Sequence, residues 1–168
     1  MENRRPTLSI VIVIASETTQ SHGDVSHLAG CLAALCPQFD SVTMEILVPY
    51  HPNIVGVEAL AALYPEVTFF PVLDLKTYHG RGGSREHHDE LRARGLARAQ
   101  GEIVALSEDH AQPHPCWCER IIMKHRQSDY AAIGGAIENG VDRPLNWAVY
   151  LCDFYRYQNP LPEGESAF

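Results

Sequence analysis

The chain has 168 residues, 45% hydrophobic and 20% charged, with a formal net charge of −8 and no low-complexity tract or solenoid-period repeat. This is enough chain for one domain to bury a core without staples, and its acidic balance argues against a general nucleic-acid surface. No segment reaches the roughly 18 apolar residues of a membrane span, so no transmembrane segment is expected. The five cysteines are an odd number and no secretory signal precedes them, which points to free thiols in a cytoplasmic protein.

Leu8 to Ala15 is β-branched and almost wholly apolar, the pattern of a strand covered on both faces in a parallel sheet. Polar residues follow from Ser16 to Gly23. Val25, Leu28, Leu32 and Leu35 then recur at helical spacing and form one apolar stripe that ends before Pro37. Glu45 to Val48 is a second strand, and Val57, Leu60, Ala61 and Tyr64 mark a short helix that stops before Pro65. A third strand spans Val67 to Val72. Strand, helix, strand, helix, strand is the start of a doubly wound α/β sheet, because right-handed crossovers make such strands parallel.

The basic, glycine-rich segment His79 to Arg85 leads into a helix over about Glu86 to Ala99, with Leu91, Gly95 and Ala99 on one face. Free N–H groups at its start, with Arg81 and Arg85 nearby, suit an anion. His87 and His88 cap this helix or line its anion side, and solvent exposure is the plainer expectation for both. A glycine turn at Gly101 opens the fourth strand, Ile103 to Leu106, which ends on Glu108, Asp109 and His110. Carboxylates at the end of a parallel strand stand where open α/β sheets bind ligands, and their hard oxygens suit Mg²⁺ or Mn²⁺.

A helix from Trp117 to His125 comes next, then a fifth strand over Tyr130 to Ile137, whose Gly134-Gly135 pair suggests a bulge or close backbone approach. Leu145 to Tyr157 reads as an aromatic helix, with Trp147, Leu151 and Phe154 on one stripe; an exposed stripe of this kind would drive self-association as a homo-oligomer. The expected organisation is a single domain over 1–168, with an α/β core over 1–140 and an aromatic helix and loop-like tail over 141–168. His110, His114, Cys116 and Cys118 also form a run of zinc-type donors. The Cys-x-Cys gap is tight for such a site, and free thiols at a helix start are the plainer reading.

In order and spacing, these elements resemble the N-terminal, nucleotide-sugar-binding half of a family 2 glycosyltransferase, an inverting enzyme of bacterial type with the GT-A fold. Leu8-Ser-Ile-Val-Ile resembles the opening strand, with Ser16-Glu17 in place of its Asn-Glu pair. Arg92, Gly95, Ala99 and Gly101 match the Ala-Arg-Asn-x-Gly-x-x-x-Ala-x-Gly helix, and Glu102 to Asp109 falls on the strand ending in the Asp-x-Asp metal motif. Pro115 and Trp117, and Gly134-Gly135-x-Ile137, match the Pro-x-Trp and Gly-Gly-x-Ile elements.

The resemblance implies a nucleotide-diphospho-sugar donor, a divalent cation on its diphosphate, and transfer with inversion to an unknown acceptor. It places the metal at Asp109 with Glu108 supporting, phosphate charge on Arg92 and on Arg81 or Arg85, and the nucleoside against Ser16 and Glu17. Three positions depart from the pattern: Ser107 replaces the first motif aspartate, Tyr50 stands near the base-reading aspartate, and Ala93 replaces the asparagine. Tyr50 could stack on a base instead. No general base is assigned, so the chain reads as a donor-binding half, with a non-catalytic nucleotide-sugar-binding or interaction module and a zinc-binding domain as the alternatives.

Overall fold

The computed structural model describes residues 5–15, 25–77, 85–161 and 164. The chain divides into two compact units, Met1–Gln127 and Ser128–Phe168.

The first unit is an α/β layer built on four parallel strands. β1 (Leu8–Val13) is central, flanked by β2 (Met44–Tyr50) and β4 (Ile103–Glu108), with β3 (Thr68–Pro71) outside β2. Leu8 pairs with both Met44 and Ile103, and all three pairings are parallel. Every residue of β1 is buried, as its unbroken β-branched run requires of a strand sandwiched between two helical layers. Four helices connect or follow the strands: α1 (Ser26–Leu35), α2 (Val57–Leu63), α3 (Arg85–Arg98) and α4 (Trp117–Arg126).

Alternation along β1 sorts the core into two sides. Leu8, Ile10, Ile12 and Ile14 pack with Leu28, Leu32 and Leu35 of α1, with Val57 and Leu60 of α2 and with Cys118 and Ile122 of α4. On the opposite side Val13 packs with Leu91 of α3 and with Val72. Gly95 lets α3 lie directly on β1, since a Cβ there would sit 2.2 Å from Val11 Cγ1. Gly101 is equally constrained: its Cβ would lie 2.5 Å from the Ser9 backbone nitrogen. The Gly101 N–H donates to Ser9 Oγ at 2.8 Å, and Ser9 Oγ donates to Glu45 Oε1 at 2.5 Å, so the turn before β4 is tied to the starts of β1 and β2.

A second tie closes the other side of α1. Gln38, buried in the 3-10 turn Cys36–Asp40, donates its amide to the carbonyls of Ala34 and His114 and accepts the N–H of Cys118, each at 3.0 to 3.1 Å. One side chain thus holds the end of α1 against the start of α4.

The second unit contains α5 (Pro144–Asp153) and a 3-10 turn over Tyr155–Tyr157. The Ile137 N–H donates to Tyr157 O at 2.8 Å, and the Tyr150 hydroxyl donates to Ile137 O at 2.5 Å. The strand expected over Tyr130 to Ile137 is not formed; the segment is irregular and exposed. A Cβ on Gly134 or Gly135 would meet nothing within 4 Å, so the pair marks no close approach. The apolar pattern of 130–137 suits a strand, but a strand also needs a neighbouring backbone along its length, and no ladder partner faces this segment among the described residues. The expected aromatic helix forms over Pro144–Asp153, short of Tyr157; Leu145, Trp147 and Leu151 are exposed on it, and Phe154 is exposed just past its end. No helix of the described residues is long and apolar enough to cross a membrane.

Candidate functional site

The strand order β3-β2-β1-β4 makes the chain reverse its direction of growth between β1 and β4. In doubly wound sheets the crevice beyond the carboxyl ends of the two strands at such a reversal is where ligands bind. Glu108, Asp109 and His110 stand there, because β4 runs beside β1 until the Asp109 N–H donates to Val13 O at 3.0 Å. Helices that cross back between parallel strands run against them, so the N-termini of α1 and α3 open at this same edge with their dipoles' positive ends.

Asp109 is fully buried. Its Oδ1 accepts the Ala15 N–H at 2.9 Å and lies 3.2 Å from His110 Nδ1. The other nitrogen of His110, Nε2, is 3.3 Å from Glu108 Oε2. Glu108 Oε1 takes Arg92 Nη2 of α3, and Arg92 Nη1 pairs with Asp89 Oδ1 at 2.8 Å. His110 is therefore clasped by two carboxylates, whose hydrogen bonds push its pKa up to about 10 despite partial burial. Glu108 is held below the usual carboxylate range, first by its hydrogen bond from His110 and further by Arg92.

Two more histidines border the cluster. The His27 ring, in the first turn of α1, meets the His110 ring edge-on with centroids 6.4 Å apart. His88 lies one turn before Arg92 on α3 and is only 7% exposed, and its Nε2 has no hydrogen-bond partner. Burial, then the neighbouring Arg92, lowers its pKa, while Glu108 and Asp109 act in the opposite direction. His87 is fully buried as well and stacks edge-on with His51 at 6.2 Å. The exposure expected for His87 and His88 is thus corrected: both face inward from the first turn of α3 while Glu86 and Asp89 are exposed, and periodicity alone did not orient the helix.

The structure brings together Arg92, Glu108 and Asp109 among the residues singled out from sequence. Tyr50 closes β2, one strand away from the crevice, and its ring packs against the main core. Arg85 is the first residue of α3, and its side chain lies outside what is described; Ser16, Glu17 and Arg81 lie outside the described residues altogether. Sequence reasoning missed His110 as the partner of both carboxylates, although its position directly after them was the available signal.

Among the described residues, no group of three or more His, Cys, Asp or Glu side chains is placed to hold a metal ion. Glu108 and Asp109 pair with Arg92 and His110 in this arrangement. The zinc-type run is dispersed also: Cys118 is buried in α4, Cys116 is exposed, and His114 Nδ1 accepts the Cys116 N–H at 3.3 Å. A recess of about 490 Å³ lies at the opposite ends of the strands beside Thr7, Val42, Ile122 and Arg126 and takes no part in the crevice. No family model matches the sequence, and no curated protein matches it either.

Proposed function

We propose that the chain is the donor-binding part of an inverting glycosyltransferase of the GT-A kind, holding a nucleotide-diphospho-sugar in the crevice between the ends of β1 and β4. One observation carries the reading: the charged cluster Arg92–Glu108–His110–Asp109 stands at the point where the order of the described strands reverses. Gly95 and Gly101 support it, because the spacing that resembles the family coincides with two positions where a side chain would strike β1.

In this reading the α1 and α3 N-termini and Arg92 meet the diphosphate, and the buried Asp109 fixes the shape of the crevice by holding Ala15 and His110. Transfer with inversion requires a base to take the acceptor hydroxyl proton. Glu108 and Asp109 are both engaged by cations, which favours a second reading, in which the chain binds the donor without turning it over.

Calorimetric titration of the chain with UDP, GDP and their sugar conjugates, in EDTA and again in Mn²⁺, tests the proposal. At least one conjugate is expected to bind in EDTA, with an affinity about tenfold weaker in Arg92→Ala, the loss of one charge-assisted contact. If no nucleotide binds under either condition, the proposal is wrong. Sugar transfer or release by the chain would reject the second reading.

A further inference from the structure

The second unit has a recess of its own, about 260 Å³, lined by Glu138, Asn139, Trp147, Tyr150, Gln158 and Asn159. That is slightly below the roughly 300–1,000 Å³ of pockets for drug-sized ligands, and it suits one compact ring. Its aromatic wall is fixed in place. Trp147 Nε1 donates to Asp142 Oδ1 at 2.8 Å, and the indole stands edge-on to Tyr150 with centroids 5.7 Å apart. Tyr150 is buried and its hydroxyl is already committed to Ile137 O, so Trp147, 39% exposed, offers a guest ring surface rather than a hydrogen-bond donor.

The polar wall is braced too, but incompletely. Glu138 Oε1 accepts the Asn159 amide at 3.1 Å, and the Asn139 amide is folded onto the backbone of Val141 in both directions. Among the hydrogen bonds of these lining residues, none engages the second carboxylate oxygen of Glu138, the amide oxygen of Asn159 or the Gln158 side-chain amide, which leaves them for a guest. Two of these three groups only accept hydrogen bonds, and one is an anion. A phosphate would be repelled, and a purely apolar guest would strand the acceptors. A ring with an apolar C–H face and a rim of hydroxyl donors satisfies both walls at once.

We propose that this recess is a saccharide-binding site for a neutral, hydroxyl-rich ring that stacks on Trp147 and donates hydroxyl hydrogens to Glu138 and Asn159. The inference stands apart from the donor reading of the first unit and does not depend on it. A rigid indole face and a carboxylate that accepts short, charge-assisted hydrogen bonds are the two features that such a ligand uses.

Saturation-transfer NMR on the intact chain tests this, with the methyl glycosides of glucose, galactose, mannose and N-acetylglucosamine as probes and glycerol as the control. Transfer to the ring C–H protons of at least one glycoside is expected, with none to glycerol. Trp147→Ala should abolish it, and Glu138→Gln, which keeps the shape of the wall, should weaken binding about tenfold, the equivalent of one charge-assisted hydrogen bond. Should Trp147→Ala fail to fold by circular dichroism, Glu138→Gln decides. Absence of transfer to every glycoside, or undiminished transfer in a folded variant, overturns the proposal.

Discussion

Asp109 Oδ1 accepts the backbone N–H of Ala15 at 2.9 Å, joining the end of β4 to the end of β1 across the mouth of the crevice. The same oxygen faces His110, so a single fully buried carboxylate both positions the chain leaving β1 and orients the imidazole beside it. Removing that acceptor leaves a buried N–H without the partner it has now. Asp109→Ala should therefore lower stability by about 1–3 kcal/mol, and Asp109→Asn, which keeps an acceptor oxygen, should cost less. Urea denaturation of the two variants measures the difference; equal losses would deny Ala15 its dependence on this oxygen.

The clasp around His110 makes an alkaline prediction. Its folded pKa, pushed up to about 10, exceeds the ordinary histidine value, so the folded chain retains a proton that the unfolded chain releases. The resulting stabilisation is complete below about pH 6.5 and is lost as pH rises toward 10. His110→Gln should flatten this part of the stability profile. Two-dimensional NMR of the imidazole should show a titration midpoint well above that of an exposed histidine, and an ordinary midpoint would contradict the clasp.

His87 and His88 make the opposite prediction at acid pH. Both pKa values are lowered, chiefly by burial. The unfolded chain therefore takes up protons first, and the histidines' contribution to stability is present above about pH 6.5 and lost as pH falls below it. In His88→Leu the acid limb of the stability profile should become shallower. An unchanged limb would show that His88 takes up its proton equally in the folded and unfolded chain, against the burial seen here.

Helix α3 lies too close to β1 for a side chain at Gly95. Gly95→Ala places a methyl group 2.2 Å from Val11 Cγ1, and overpacking of this kind costs about 1–3 kcal/mol. Because the obstacle is a side chain, Val11→Ala in the same molecule should recover part of the loss. Gly101→Ala meets the Ser9 backbone instead, and no single truncation should relieve it. Thermal denaturation of the double variant decides the point, and failure to recover any stability with Val11→Ala would disprove the contact.

The thiols should react in two classes. Burial pushes the Cys31 and Cys118 thiols up to about 12 and about 11, and burial with a hydrogen bond to Glu66 pushes Cys36 to about 12. Cys116 and Cys152 are exposed. Alkylation of the native chain followed by mass spectrometry should label these two first and the other three only after unfolding. Rapid labelling of Cys118 would mean that α4 is not packed as described.

The four strands and the buried face of α1 were legible because apolar periodicity is set by burial, and β1 and α1 are buried on the faces their sequences mark. Arg92, Glu108 and Asp109 could be placed from sequence because a strand end and a helix face are local features. The role of His110 was not, since it depends on how the backbone turns after Glu108 and on Arg92 reaching across from another element. Burial of His87 and His88 depends on the rotation of α3 about its axis, which a mostly charged helix does not encode. The 130–137 segment shows the reverse failure: β-branched and apolar residues specify a strand only where a second backbone is available to pair.

The central claim is that a ligand sits where β1 and β4 diverge, and amide hydrogen exchange with and without a nucleotide sugar tests it most directly. The account predicts slowed exchange at Ala15, at Glu108 to His110 and in the first turns of α1 and α3. Slowing confined to the opposite strand ends, around Thr43 and Ile122, or no change at either edge, would contradict it.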